Sequence, residues 1–362
     1  MIPDCTLVTA CFDLTKYNLK SRNFTESINN IKSLLETPCY LVIYTNDTLI
    51  EYIKNIRNSS GLEKLTIYII KNIEELDTFK YLDIVKKNRE KYHPSKDDRT
   101  CAESHLVCCS KFELVLQTMS LNPFNTSKFG WIDGNVGVNF SKICNNYKNN
   151  MLLNILLNTS KDKFHIQILN VNDKKYMKEE NYKEYYNSYK WVVCGSLFIT
   201  GIELGLKILN DLIGIFKKHT LHGYGHAEEM FFLEILDKYY DNIERSYGDY
   251  NHILNNFIKT TVGLDYIYIN ISNKYLIYGY NRECFDCCEK IINQYENFTI
   301  ELNYELYFKF LFNYYISAFY VDKNKAKNIY IKFKNLINNI PQINSIYLLN
   351  KDFYDKQFRY VE

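Results

Sequence analysis

Asp133 stands at the end of a short apolar run, Lys128 to Gly137 (KFGWIDGNVG), and is followed at once by Gly134. A strand that stops at Asp-Gly delivers a carboxylate to the carboxyl edge of a sheet, where open α/β sheets bind ligands. Such a carboxylate suits a divalent cation, or the ribose or phosphate of a nucleotide; the competing reading is an ordinary turn aspartate. Two glutamates, Glu228 and Glu229, close the segment LHGYGHAEE and fall in the first turn of a helix expected to run to about Tyr240. Carboxylates there are either favoured by the helix dipole alone or positioned as a general base. Lys111, inside a helix expected over 101–120, would face a diphosphate or solvent. His252 follows a turn at Gly248-Asp249, where a lone histidine is more often packed than a ligand.

These side chains need a scaffold. Thr6 to Phe12 (TLVTACF), Cys39 to Tyr44 (CYLVIY) and Leu65 to Ile70 (LTIYII) read as buried strands, with amphipathic helices over 26–35 and 49–56 between them. This alternation indicates a parallel sheet with helices on its faces. Its loops carry Asp13, Arg22, Thr45 and Asn46 to the same edge as Asp133. No GxGxxG or GxxxxGK[ST] occurs, which removes the usual dinucleotide and P-loop readings. The charged stretch 86–99 reads as an excursion near the site. A helix near 150–157 and a strand near 164–169 follow. Trp191 to Ile199 (WVVCGSLFI) is a further strand, and Gly195-Ser196 in its interior signals the close approach of a ligand or another backbone. A helix over 202–218 comes next. Tyr266 to Tyr280 reads as a strand pair turning at Ser272-Asn273, and 284–295, 304–320 and 324–337 as helices. The expected division is a catalytic domain over 1–262 and a strand pair plus helical domain over 263–362.

A chain of 362 residues that is 46% hydrophobic has enough apolar material for a substantial core, and a formal charge of +2 argues against nucleic acid as the partner. Eleven cysteines without regular spacing suggest reduced thiols. Cys284, Cys287 and Cys288 make half a zinc site at best. No basic leader precedes the first strand, and no apolar run approaches the roughly 20 residues of a membrane span. The expectation is a soluble, cytoplasmic protein.

Four pieces, in order, carry a resemblance: TLVTACFD, FGWIDGN, the pairing of CGSLFITG with GHAEEMFF, and YGDY. Over roughly 6–257 the chain resembles the HtrL/YibB family of glycosyltransferase-like proteins. The resemblance implies an α/β, glycosyltransferase-A like fold: a mostly parallel sheet flanked by helices, here with a C-terminal α-helical extension. It implies a nucleotide-sugar donor, a UDP-sugar first, and a glycan or glycoprotein acceptor. Thr9, Ala10, Phe12 and Asp13 would line the nucleoside pocket, with Arg22, Asn46 and Lys111 also on the donor side. Asp133 and Asn135 would stand where such enzymes hold Mn²⁺ or Mg²⁺ with an Asp-x-Asp motif. Gly195 and Ser196 would approach the donor sugar, and Glu229 or Glu228 would take the acceptor's proton in an inverting enzyme. In a retaining one, the glutamates would position sugar or acceptor. Asn135 departs from the motif, since its amide supplies an oxygen without charge. Either Asp249 or His252 would then complete the metal site, or Lys111 or Arg22 would neutralise the diphosphate without metal. The alternative reading is a catalytically inactive binding module that docks through its helical tail, a surface through which copies could also associate.

Overall fold

The computed structural model describes residues 2–91, 98–134, 136, 149–224, 228–297 and 299–358. They fall into two compact units, one of residues 1–170 with 174–260 and one of 171–173 with 261–362.

The first unit begins as its apolar runs dictate: β1 (Thr6–Cys11), α1 (Phe24–Leu35), β2 (Tyr40–Thr45), α2 (Asp47–Ser59) and β3 (Thr66–Ile70). The chain then crosses through α3 (Leu82–Lys91) and α4 (Ala102–Leu121) to β4 (Lys128–Ile132). After α5 (Asn149–Asn158) come β5 (Phe164–Ile168), α6 (Tyr182–Tyr186), β6 (Val193–Gly201), α7 (Ile202–Leu221), α8 (Phe232–Lys238), β7 (Ile243–Tyr247) and α9 (Ile253–Asn256). The seven strands form one sheet in the order β3-β2-β1-β4-β6-β5-β7. Only β6 opposes the rest: it is antiparallel to β4 and β5, while the other pairs are parallel. The sheet is therefore mostly parallel and flanked by helices, as the sequence leads one to expect.

This topology places the site in two ways. The chain winds outward from β1 through β2 to β3, then returns to put β4 on the other side of β1. Diverging loops at such a switch point open a crevice at the carboxyl edge. Because β6 runs backwards, its first residues lie at that same edge; Val193 pairs with Ile168 and Leu197 with Ile132. Residues after β4 and residues beginning β6 thus meet.

One face of the sheet presents Leu7, Cys11, Leu41 and Ile43 to a cluster that includes Ile31, Leu35, Leu49, Ile53, Leu152 and Ile253. On the other face, Tyr44 reaches α4, its hydroxyl 3.3 Å from the Leu114 carbonyl. Phe112, Phe164, Phe198 and Phe232 interlock there, with centroids 5.3–6.5 Å apart, and tie α4, β5, β6 and α8 together. Each such buried ring contributes on the order of 1.5–3 kcal/mol. Arg57 is fully buried, and among the described residues its partners are backbone carbonyls and a hydroxyl. Its guanidinium donates to the carbonyls of Leu35, Thr37 and Cys39 and to Thr66 Oγ1, closing the α1–β2 connection over β3.

Two expectations are corrected. Residues 86–91 are not a surface excursion: they belong to α3, where buried Asn88 donates to the Thr220 carbonyl at 2.9 Å; residues 92–97 lie outside the described residues. The strand pair over 266–280 is helical, a π turn at Leu264–Tyr268 continuing into α10 (Ile269–Ile277). Alternating Tyr and Ile suggested period two, but the buried residues Ile267, Ile271 and Tyr275 repeat every four. Ser272 and Asn273, read as the turn, instead receive the Asn313 side-chain amide at 3.0 and 2.7 Å. The second unit continues with α11 (Asn281–Glu296), α12 (Tyr304–Val321), α13 (Lys323–Asn339), α14 (Pro341–Leu349) and α15 (Lys351–Phe358). Cys284, Cys287 and Cys288 are buried free thiols within it. Among the described residues no helix is long and apolar enough to cross a membrane.

Candidate active site

Lys111 sits in the middle of α4, 1% exposed, on the face turned to β4 and β6. A lone ammonium so deep would cost several kcal/mol; here its donors are matched. Nζ lies 2.6 Å from Glu228 Oε1, 3.0 Å from the Gly195 carbonyl and 3.5 Å from Asp133 Oδ1, with the Trp131 ring 5.4 Å away. Burial works against the charged form of Lys111, but Asp133 and Glu228 more than reverse it, and the ammonium is held well above its usual range.

Asp133 leaves β4 as expected. Its N–H donates to the Ser196 carbonyl at 2.9 Å, which fastens it to β6, and its Oδ1 accepts from the Trp131 indole. The carboxylate keeps 31% of its surface. Gly134 packs closely: a Cβ there would lie 3.1 Å from the Ile31 side chain, which would have to give way.

Glu228 and Glu229 are buried in a 3-10 turn, Glu228–Phe231, rather than displayed in the first turn of an α-helix; α8 starts only at Phe232. The turn is anchored by buried Met230, Phe231 and Phe232 and by Tyr185, whose hydroxyl donates to the Met230 carbonyl at 2.8 Å. Glu229 Oε1 accepts from the Tyr250 hydroxyl at 2.8 Å. Burial, reinforced by the neighbouring Glu228 charge and opposed by Lys111, pushes the Glu229 carboxyl up to about 8. A carboxylic acid so poised exchanges its proton near neutrality, the requirement for general acid–base work.

Gly195 leaves the charged cluster room that a side chain would narrow. A Cβ there would stand 3.0 Å from Glu228 Oε1, 3.1 Å from Glu229 Cγ and 3.4 Å from Lys111 Nζ. Since these three groups pin one another, Gly195→Ala is expected to destabilise the protein by about 1–3 kcal/mol in denaturant melts, the cost of overpacking. An unchanged midpoint would show that the cluster can shift.

The structure thus brings together Lys111, Asp133, Gly195, Ser196, Glu228 and Glu229. The other residues expected at the site stand in local networks along the edge. Asp13 Oδ1 accepts from Thr15, both backbone and hydroxyl. Ala10, Arg22 and Asn46 are half-buried and Phe12 is buried; Arg22 precedes the N-cap of α1, and Asn46 is the N-cap residue of α2. Thr9 Oγ1, Thr45 Oγ1 and Asn46 Oδ1 are buried without a hydrogen-bond partner among the described residues. Such orphaned groups are uncommon in folded proteins. His252 Nδ1 is 2.8 Å from Asp249 Oδ1, and α9 behind it packs into the same apolar cluster as Ile132 and Val136 on either side of Asp133. Asn135 lies outside the described residues.

Tyr250, Tyr189 and Trp131 went unrecognised by sequence reasoning. A signal existed: Trp131 and Trp191 are the chain's two tryptophans, and each adjoins a stretch singled out for chemistry.

Among the described residues no three His, Cys, Asp or Glu side chains converge as a metal cage. Mg²⁺ is commonly held without one, by one or two carboxylates and the substrate's phosphates. Asp133 fits that role, with Oδ1 engaged by the protein and Oδ2 without a partner among the described residues.

A family model described as "Bacterial protein of unknown function (HtrL_YibB)" matches residues 3–223. No curated protein matches the chain. Among solved structures it is similar to mouse xyloside xylosyltransferase 1 in apo form, at 11% identity and TM-score 0.36 over 72% of this chain and 95% of that one. It is similar also to the galactosyltransferase LgtC in complex with donor and acceptor sugar analogs, at 9% identity and TM-score 0.35 over 67% and 73%.

Proposed function

The chain belongs to the HtrL/YibB family, and we propose that it is a glycosyltransferase moving a sugar from a nucleotide-sugar donor to a hydroxyl of a glycan or glycoprotein acceptor. The observation that carries this reading is the pairing, at one sheet edge, of a half-exposed carboxylate, Asp133, with a buried glutamate, Glu229, whose carboxyl is pushed up to about 8 and so exchanges its proton near neutrality. Glycosyl transfer asks for those two things: a place for the charge developing on the leaving diphosphate, and a base for the acceptor hydroxyl.

The roles divide by surroundings. Glu228 is bound to the Lys111 ammonium, which fixes its carboxylate and keeps Gly195 and Asp133 in register. Glu229, whose hydrogen bond comes from a neutral phenol, is the group that takes the acceptor's proton. The orphaned Thr9, Thr45 and Asn46 oxygens support a nucleoside site along β1 and β2, with a UDP-sugar the first donor to test. A Mn²⁺ or Mg²⁺ ion would be held by Asp133, with Asn135 and His252 as the further ligands, and would supply positive charge to the diphosphate.

Hydrolysis of UDP-, GDP- and CMP-sugars with Mn²⁺ tests the reading, comparing wild type with Asp133→Ala. One donor is expected to be cleaved, and the substitution to slow cleavage roughly 10²-fold. If no donor binds and the two proteins behave alike, the assignment fails.

A further inference from the structure

Trp191 lies two residues before β6, and its side chain is left 47% exposed. Single exposed apolar residues are ordinary, but this indole is fixed in place. Tyr189 packs against it edge-to-face with centroids 4.7 Å apart at 86°, and Tyr250 does so at 5.1 Å and 67°. Two nearly perpendicular neighbours set the plane of the ring. The Tyr250 hydroxyl in turn donates to Glu229 at 2.8 Å. A rigid, half-exposed aromatic surface is therefore joined through one tyrosine to the carboxyl assigned as base.

We infer that Trp191, braced by Tyr189 and Tyr250, is a stacking platform for a pyranose ring of the acceptor, holding it with a hydroxyl toward Glu229. This inference rests on the glycosyltransferase reading. The C–H face of a pyranose is apolar and packs on an indole, while its equatorial hydroxyls remain at the rim. A nucleobase would also stack, but the proposed nucleoside site lies on β1 and at the end of β2, where Thr9 Oγ1 and Thr45 Oγ1 have no partner among the described residues. Trp191 lies on the other side of β4 in the strand order, where β6 and β5 begin and end at the edge. The two ligands of a transfer reaction would then flank Asp133. An aromatic ring also binds at little entropic cost, because few torsions need freezing.

Calorimetric titration of disaccharides ending in glucose, galactose or N-acetylglucosamine tests the platform in wild type, Trp191→Ala and Trp191→Phe, with circular dichroism to confirm folding. At least one sugar is expected to bind saturably, about tenfold more weakly to Trp191→Ala, the worth of one stacked ring, and with most of its affinity retained in Trp191→Phe. Trp191→Gln, which keeps bulk without an aromatic face, takes the place of the alanine variant should that unfold. Absence of sugar binding to the wild type, or equal binding by the variant without a ring, overturns the inference. UDP is titrated in parallel. UDP binding without sugar binding removes the platform alone; sugar binding without UDP binding upholds the platform and removes the transferase.

Discussion

Lys111→Met is expected to cost about 3–5 kcal/mol of stability, the usual result of removing one member of a buried ion pair. Methionine fills the volume, so the loss is electrostatic. Glu228 Oε1 would lose the ammonium 2.6 Å away, the Gly195 carbonyl would lose its donor, and Glu229 would adjoin an uncompensated charge. The deficit should depend on pH. Protonation relieves unpaired carboxylates, so the variant should lie closest to wild type near pH 5 and furthest from it near pH 8. Urea melts at the two pH values check this. A deficit under about 1 kcal/mol at both would mean that Lys111 behaves as a surface pair does.

Glu229→Gln is expected to slow transfer by about 10²–10⁴-fold, the contribution of a positioned base, in whichever donor assay the wild type satisfies. The amide still accepts the Tyr250 hydrogen bond, so the fold should persist. Stability gives an independent readout with a definite sign. The folded Glu229 carboxyl is raised from 4.5 to about 8. A raised group contributes stability that is fully present below its unfolded value and is lost as pH rises through its folded value. Wild type should therefore weaken between about pH 4.5 and about pH 8, and the glutamine variant should weaken less across that window. Parallel pH dependences would show that Glu229 carries no such burden.

The strands were legible because a parallel sheet buried on both faces leaves uninterrupted runs of apolar residues, as in LVTAC and YLVIY. Asp133 was legible for a related reason: an acidic residue and glycine after such a run can only sit at the sheet's edge. Glu228 and Glu229 were found, but their burial was not foreseen. A carboxylate in an expected first turn looks solvated, and the buried lysine that makes its burial tolerable lies 117 residues away in the chain. Lys111 had no local mark, since one lysine in an otherwise apolar helix face cannot announce its partners. Tyr250 and Arg57 were hidden alike, as their partners are set by the fold. In the second unit, Tyr-Ile alternation imitated a strand because the buried period of four over 267–275 is shorter than the three turns that would have exposed it.

Glutamate titration by NMR addresses the central assignment without needing a substrate. Protein labelled with ¹³C at the glutamate carboxyls would be followed from about pH 4 to about pH 10, a range that brackets an ordinary glutamate and a strongly raised one. Two carboxyls are expected to titrate above the ordinary range: Glu113, pushed up to about 7 by burial and the Asp77 charge, and Glu229, pushed up to about 8 by burial beside Glu228; only the second is expected to be missing from Glu229→Gln. If the spectra of wild type and Glu229→Gln show the same raised signals, so that none is lost with the substitution, Glu229 is not a carboxyl poised near neutrality and the proposed base is lost.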